Sequence, residues 1–318
     1  MISVIIPAYN IGKYISDCLN SIRQQTFKDY EVVAVNDGSK DDTLTVLNDY
    51  KKKYPEFPLT IIDKENEGVT AARRDGFIAS KGEWICFVDG DDLLPENSLE
   101  ILFGEVRPNV TAVCGSFEKF SDDKEDYSYF SIKIKEGVYP SKDVVQLILK
   151  GMFYSGPWGK LYHRDLIHNG VFNLSRDITN KEDVIFNMKV FSKAYGNIIM
   201  TYKPVYRYRI GRTDSAFYKM YVANKLNLSY ELQIVGIMMD IVNNMDKFCI
   251  THRDCISIYN YNRLWSWYRH FGNVSKGQYE MLKNMYREIR IKDIGFDSTK
   301  KYLKMLLIRV SLFFCHPK

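Results

Sequence analysis

An apolar run, Trp84-Ile85-Cys86-Phe87-Val88, ends in Asp89-Gly90-Asp91-Asp92, three carboxylates within four residues. Carboxylates this close repel one another, so keeping them ionised calls for lysine, arginine or a divalent cation. An all-oxygen ligand set suits Mg²⁺ or Mn²⁺, hard ions that retain water and are completed by substrate phosphates. The spacing therefore predicts a phosphate-bearing substrate held through a metal at the end of a buried strand. Other residues could serve it. Pro7 stops an apolar strand, and Tyr9 just beyond offers a flat face to a nucleobase. Asp37 precedes Gly38, which tolerates positive φ, and Ser39, a helix-capping type. Arg73 falls early in a helical segment, where a cation opposes the dipole unless an anion lies close by. Glu182 and Asp183 open an amphipathic segment, a place the dipole favours for acids with or without chemistry.

Short β-rich runs alternating with helix-period segments must position these residues, the pattern of an α/β domain with a mostly parallel sheet. Strands are expected at 4–6, 31–35, 59–63 and 84–88, and helices at 11–25, 41–54 and 69–79. Functional residues in such sheets gather beyond the carboxyl ends of the strands, which here carry Tyr9, Asp37 and Asp89. Further strands are expected at 110–114, 158–162 and 198–210, and helices at 95–104, 141–150 and 182–194. Residues 118–136 read as a loop or hairpin, and beyond 219 the chain turns to long helices at 222–245, 254–271 and 276–291.

The 318 residues allow one large domain with an appendage, or two domains. With 46% hydrophobic and 26% charged residues the composition is that of a soluble globular protein, and 23 tyrosines hint at sugar or ring contacts. A scattered net charge of +5 argues against nucleic acid as a partner. The six cysteines, at 18, 86, 114, 249, 255 and 315, form no C-x-x-C pair and read as free thiols in a reducing cytoplasm. No signal peptide and no spanning helix are expected.

Five segments in order resemble the inverting family 2 glycosyltransferases of the GT-A fold. They are Ser3-Val4-Ile5-Ile6-Pro7-Ala8-Tyr9-Asn10, Val35-Asn36-Asp37-Gly38-Ser39-Lys40-Asp41-Asp42-Thr43, Gly68-Val69-Thr70-Ala71-Ala72-Arg73, Asp89-Gly90-Asp91-Asp92 and Glu182-Asp183-Val184-Ile185-Phe186. The resemblance implies an α/β GT-A domain over 1–215, with a Rossmann-like nucleotide-sugar-binding half at 1–110, an acceptor half at 111–215 and a helical C-terminal region at 216–318. It implies metal-dependent, inverting transfer of one sugar from a nucleotide-sugar donor, a UDP-sugar, to a hydroxyl of a glycan acceptor in bacterial surface polysaccharide synthesis. By the same resemblance the uracil lies against Pro7 and Tyr9, Asp37 accepts from the base, and Arg73 meets the diphosphate. Asp89 touches ribose and metal, Asp91 ligates the Mn²⁺ or Mg²⁺, and Asp183 is the catalytic base. Asp92 is expected to cap its own turn, and Gly90 to leave room for the ribose.

Departures from the family pattern are Asn36 for Asp, Arg74 for Asn and Lys181 for Gly. Arg74 is expected to pair with Asp75. The absence of Gln-x-x-Arg-Trp argues against a processive synthase. Trp158, in Pro157-Trp158-Gly159-Lys160-Leu161-Tyr162, stands equally for a sugar platform or core packing. Tyr208 to Arg212 is expected to close over the diphosphate, hinged at Gly211. The tail 300–315 carries bases beside an apolar stripe at 303, 306, 307, 310, 313 and 314. It is expected either to lie peripherally on the inner face of the cell membrane, near a lipid-linked acceptor, or to pack on the protein or a second copy. Two rivals to the enzyme are a catalytically inactive nucleotide-sugar-binding scaffold of a glycan assembly complex and a nucleotidyltransferase.

Overall fold

The computed structural model describes residues 1–122, 124–130, 134–154, 156–178, 181–212, 228–245, 252–267, 274–289 and 299–313. Its first half is the expected alternation. Strands β1 (Ile2–Ala8), β2 (Tyr30–Asp37), β3 (Leu59–Lys64) and β4 (Trp84–Phe87) are separated by helices α1 (Gly12–Arg23), α2 (Thr43–Lys53) and α3 (Val69–Ala79). The four strands are parallel, with Ile2 opposite Tyr30 on one side and Trp84 on the other. β1 is buried along nearly its whole length, as a strand covered on both faces must be. On one face Ile2, Val4 and Ile6 pack with Ile15, Cys18, Leu19 and Ile22 of α1, and on the other Val33 and Val35 pack with Ala72 of α3.

The sheet runs in the order β3-β2-β1-β4-β8-β5-β9-β7, with β6 beside β5. The chain steps outward from β1 to β3 and then returns to lay β4 on the far side of β1, so the reversal point lies beyond the carboxyl ends of β1 and β4. The expectation of a mostly parallel sheet holds only for this half. β8 (Lys160–His163) runs antiparallel between β4 and β5 (Val110–Ser121), β9 (Asn197–Arg209) is parallel to β5, and β7 (Gly137–Pro140) is antiparallel to β9. The segment without a clear period is a hairpin: β5 extends to Ser121 and pairs antiparallel with β6 (Lys124–Phe130). Helices α4 (Ser98–Gly104), α5 (Val144–Leu149) and α6 (Glu182–Ser192) complete this part of the chain.

Two compact units are formed, one by 1–144 with 153–219 and the other by 145–152 with 220–318. The second contains α7 (Leu228–Asn243), α8 (His252–Trp267), α9 (Lys276–Arg287) and α10 (Thr299–Phe313). In α9 the Ser275 hydroxyl accepts from the Gln278 amide while the Gln278 side chain accepts from the Ser275 amide, a reciprocal cap that fixes where the helix starts. Trp267, Leu264, Leu282, Ile308 and Leu312 are buried, and α8 contacts both α9 and α10. The sequence-expected helical starts and ends at 222–227, 268–271 and 290–291 lie outside the described residues, as do Cys249 and Cys315. No described helix is long and apolar enough to cross a membrane.

Candidate active site

Three loops at the carboxyl ends of β1, β2 and β3 are tied together by side chains that accept backbone N–H groups. The Asn10 amide donates to the Ser39 hydroxyl at 3.0 Å, the Lys40 amide to Asn10 Oδ1 at 2.8 Å, and the Gly12 amide to Asp41 at 3.0 Å. Ser39 thus links loops; the residue at the cap of α2 is Asp42, with no side-chain cap bond. Tyr9 follows β1 and is 45% exposed; Pro7, partly buried, does not stop the strand, which runs on to Ala8 with Pro7 opposite Val35. Asp37 is buried, and its carboxylate accepts from the Glu67 amide at 2.9 Å and the Gly68 amide at 2.8 Å. It therefore anchors the loop that leads into α3. Gly38 takes φ 68°, and a Cβ there would stand 2.7 Å from the Asn66 amide, so the tight turn after Asp37 requires glycine.

The carboxylate cluster follows β4 directly. Asp89 and Asp91 keep about a quarter of their side-chain surface exposed, at 26% and 23%, whereas Asp92 is buried. Burial raises all three above the usual carboxylate range; Arg73 opposes the rise at Asp89 and Arg212 at Asp91. Asp92 does not cap its own turn. Its carboxylate accepts from the Tyr206 hydroxyl and from the Arg209 amide, both at 2.7 Å, and so straps the loop to β9. The Asp89 amide donates to the same Tyr206 oxygen at 3.1 Å, and Arg209 Nε donates to the Asp91 carbonyl at 2.6 Å. At Gly90 a Cβ would meet Ile11 Cδ1 at 2.4 Å and Ile15 Cδ1 at 3.1 Å, so glycine lets the loop rest on the apolar side chains before and within α1.

Arg73 joins this loop to a distant helix. It is 3% exposed, and one guanidinium nitrogen donates to Asp183 Oδ1 at 2.7 Å while another donates to Asp89 Oδ1 at 3.0 Å. The third nitrogen, Nε, is buried with no partner among the described residues. Asp183 is the second residue of α6, whose cap, Lys181, takes the left-handed φ of 69°. That is a conformation glycine adopts at no steric cost and lysine rarely takes. Glu182 beside it is pushed up to about 7, first by burial and then by the charge of Asp183. Arg74 turns away to Asp75 at 2.8 Å and Glu67 at 3.3 Å, as its sequence neighbourhood suggested.

The structure thus brings Arg73, Asp89, Asp91 and Asp183 together and sets Tyr9 and Asp37 on adjoining, cross-tied loops. Sequence reasoning missed Tyr206, and it cast Arg209 as part of a closing loop. Arg209 instead ends β9, 6% exposed, with its guanidinium over the rings of Tyr14 at 4.9 Å and Phe120 at 4.6 Å and paired with Asp122. Arg212 pairs with Asp91 and lies 4.6 Å from the Tyr14 ring centroid. Trp158 is core packing, not a sugar platform: it is 9% exposed and stacked against Tyr206 at 4.6 Å and Tyr154 at 5.1 Å.

The donor set fits a hard divalent cation. Asp89 and Asp91 present partly exposed carboxylates whose mutual charge two arginines only partly offset, which is the demand such an ion meets. No group of three or more potential ligands is gathered among the described residues, so the coordination shell would be completed by water and substrate phosphate oxygens.

Residues 3–170 match the family model described as glycosyl transferase family 2. That stretch includes Pro7, Tyr9, Asp37, Arg73, Asp89 and Asp91 and ends before Asp183. The chain is 30% identical over 197 residues, 61% of its length, to an uncharacterized glycosyltransferase, EpsJ, of Bacillus subtilis, and the alignment covers 57% of that protein. It is 33% identical over 196 residues to a poly(ribitol-phosphate) beta-glucosyltransferase of Bacillus spizizenii, of which it covers 30%. The chain therefore spans little more than half the length of the first relative and less than a third of the second. Among solved structures, S. aureus TarS 1-349 in complex with UDP-GlcNAc superposes with a TM-score of 0.67 at 20% identity, over 98% of this chain and 87% of that one. That likeness is one of fold, with the α/β part of the chain matching the GT-A arrangement.

Proposed function

Because the chain belongs to glycosyl transferase family 2, we propose that it is a metal-dependent, inverting transferase that moves a single sugar from a UDP-sugar to a hydroxyl of a glycan acceptor. The pathway that fits is the synthesis of bacterial surface polysaccharide. One observation carries this reading: the Arg73 guanidinium holds Asp89 and Asp183 at 3.0 and 2.7 Å, so the donor-binding loop and the candidate base are parts of one site.

The uracil lies against Tyr9 and Pro7, and the depth of Asp37 beneath that platform gives the base a fixed acceptor edge. Asp89 and Asp91 would hold a divalent cation, which when bound offsets the charge of the departing diphosphate. Arg73 keeps the Asp183 carboxylate aimed at the same point as the donor loop. The acceptor oxygen attacks the anomeric carbon from the face opposite the diphosphate, and its proton passes to Asp183 as the bond to the diphosphate breaks. A single displacement inverts the configuration. Glu182, pushed up to about 7 first by burial, is about half protonated at neutral pH; Asp183, not Glu182, accepts from Arg73 and is the acid held beside the donor loop. A lipid-linked glycan as acceptor would place the protein peripherally on the cytoplasmic face of a membrane.

The test is a panel of nucleotide sugars assayed for transfer with Mn²⁺ or Mg²⁺, in the wild type and in Asp183→Asn. Transfer by the wild type, with donor binding retained but transfer lost by about 10²–10⁴-fold in the variant, is expected for a general base. Equal loss of donor binding and transfer in Asp183→Asn would remove the base from its assigned role.

A further inference from the structure

Helix α10 packs by one side only. Ile308 and Leu312 are buried at 0% and 6% exposure, while Leu303, Leu306, Leu307, Val310 and Phe313 are exposed at 52%, 44%, 44%, 42% and 77%. At about 100° per residue these five occupy an arc of roughly 120°, opposite the buried pair. They form a continuous apolar strip about three turns long, where a soluble surface normally scatters its large apolar side chains singly.

Charge accompanies the strip. The helix TKKYLKMLLIRVSLF contains four bases and no acid. Lys304 and Arg309 flank the strip on its two shoulders, with Lys304 4.7 Å over the Trp265 ring and Arg309 exposed. With four bases and no acid, the helix carries a net positive charge whose complement is an anionic surface.

We infer that the exposed face of α10 is a docking surface for an anionic lipid bilayer, on which the helix lies in the plane of the interface. Its apolar strip enters the headgroup boundary and its shoulder bases meet lipid phosphates. Sequence periodicity already placed apolar residues at these positions; the structure adds that the strip is uncovered and that Ile308 and Leu312, rather than the strip, join the helix to the protein. This inference rests on the proposed transfer to a glycan acceptor only for its biological purpose, since a lipid-linked acceptor would lie in that bilayer.

The experiment is co-sedimentation of the full-length protein with vesicles of pure phosphatidylcholine and of phosphatidylcholine with phosphatidylglycerol. Two variants accompany it: Leu306→Asp with Val310→Asp, and Lys304→Glu with Arg309→Glu. Wild type is expected to partition onto the anionic vesicles and to lose binding as salt rises. Each base contributes about fivefold to partitioning near such a surface, so the charge reversal should weaken binding by well over tenfold. The Asp pair should abolish it. Neither variant alters a residue of the candidate active site, and both should retain wild-type donor turnover in vesicle-free buffer, which also reports that they fold. Equal sedimentation of all proteins with both vesicle types overturns the docking surface and leaves the proposed transfer intact. Vesicle binding without any donor turnover does the reverse. A concentration-dependent dimer in sedimentation velocity that the Asp pair dissociates, with no vesicle binding by wild type, assigns the strip to a second copy of the chain and also overturns the inference.

Discussion

Arg73 sits where the dipole of α3 disfavours a cation, and the two carboxylates that compensate it come from 16 and 110 residues away. Arg73→Ala leaves Asp89 and Asp183 facing each other without a counter-charge. Loss of one partner from a buried pair costs roughly 3–5 kcal/mol; here both carboxylates are a quarter exposed, and about 2 kcal/mol is expected from urea unfolding. The transfer rate should fall about 10²-fold or more, because the proposed base, Asp183, loses its orientation. Glu182 supplies a pH signature. Its folded value, about 7, lies above the ordinary 4.5, so the native state holds a proton that the unfolded chain has released between those limits. The stability this contributes is full below about pH 4.5 and lost as pH rises through about 7. In metal-free buffer Glu182→Gln should flatten the decline of melting temperature across that window; an unchanged slope would count against the buried, protonated acid. Asp89, Asp91, Arg73 and Asp183 were legible in sequence because each belongs to a short local pattern. Asp92, Tyr206 and Arg209 were not, because their partners lie 114 to 118 residues apart and no local pattern records such a pairing.

At the scale of elements, β9 has the role that sequence periodicity least revealed. Its alternation announced a strand, yet nothing in it said that Tyr206 would receive the Asp89 amide and donate to Asp92. Tyr206→Phe keeps the ring stacked on Trp158 but strands a buried N–H and a buried carboxylate oxygen. A loss of about 1–3 kcal/mol is expected from the midpoint of denaturant unfolding. Gly90→Ala probes the other side of the same loop. The added methyl must displace Ile11 and Ile15, an overpacking that costs typically 1–3 kcal/mol and should appear as a lowered melting temperature. The parallel half of the sheet was readable because strands buried on both faces become continuous apolar runs. The antiparallel entry of β8 was not, since a four-residue strand carries no mark of its direction.

For the whole molecule, family membership and the fold agree with the arrangement of loops at one sheet edge, and the helical unit was visible in outline from its periodicity. Which side of α10 faces outward could not be read from spacing, because a helical stripe looks the same whether it is covered or bare. The account as a whole depends on a cation-dependent diphosphate site at Asp89 and Asp91. Calorimetric titration of UDP into wild type and Asp91→Ala, each with and without Mn²⁺, tests it most directly. Wild type should bind UDP much more tightly with Mn²⁺ than without, and Asp91→Ala should lose that dependence. UDP binding that is unaffected by Mn²⁺ and by the substitution would contradict the site.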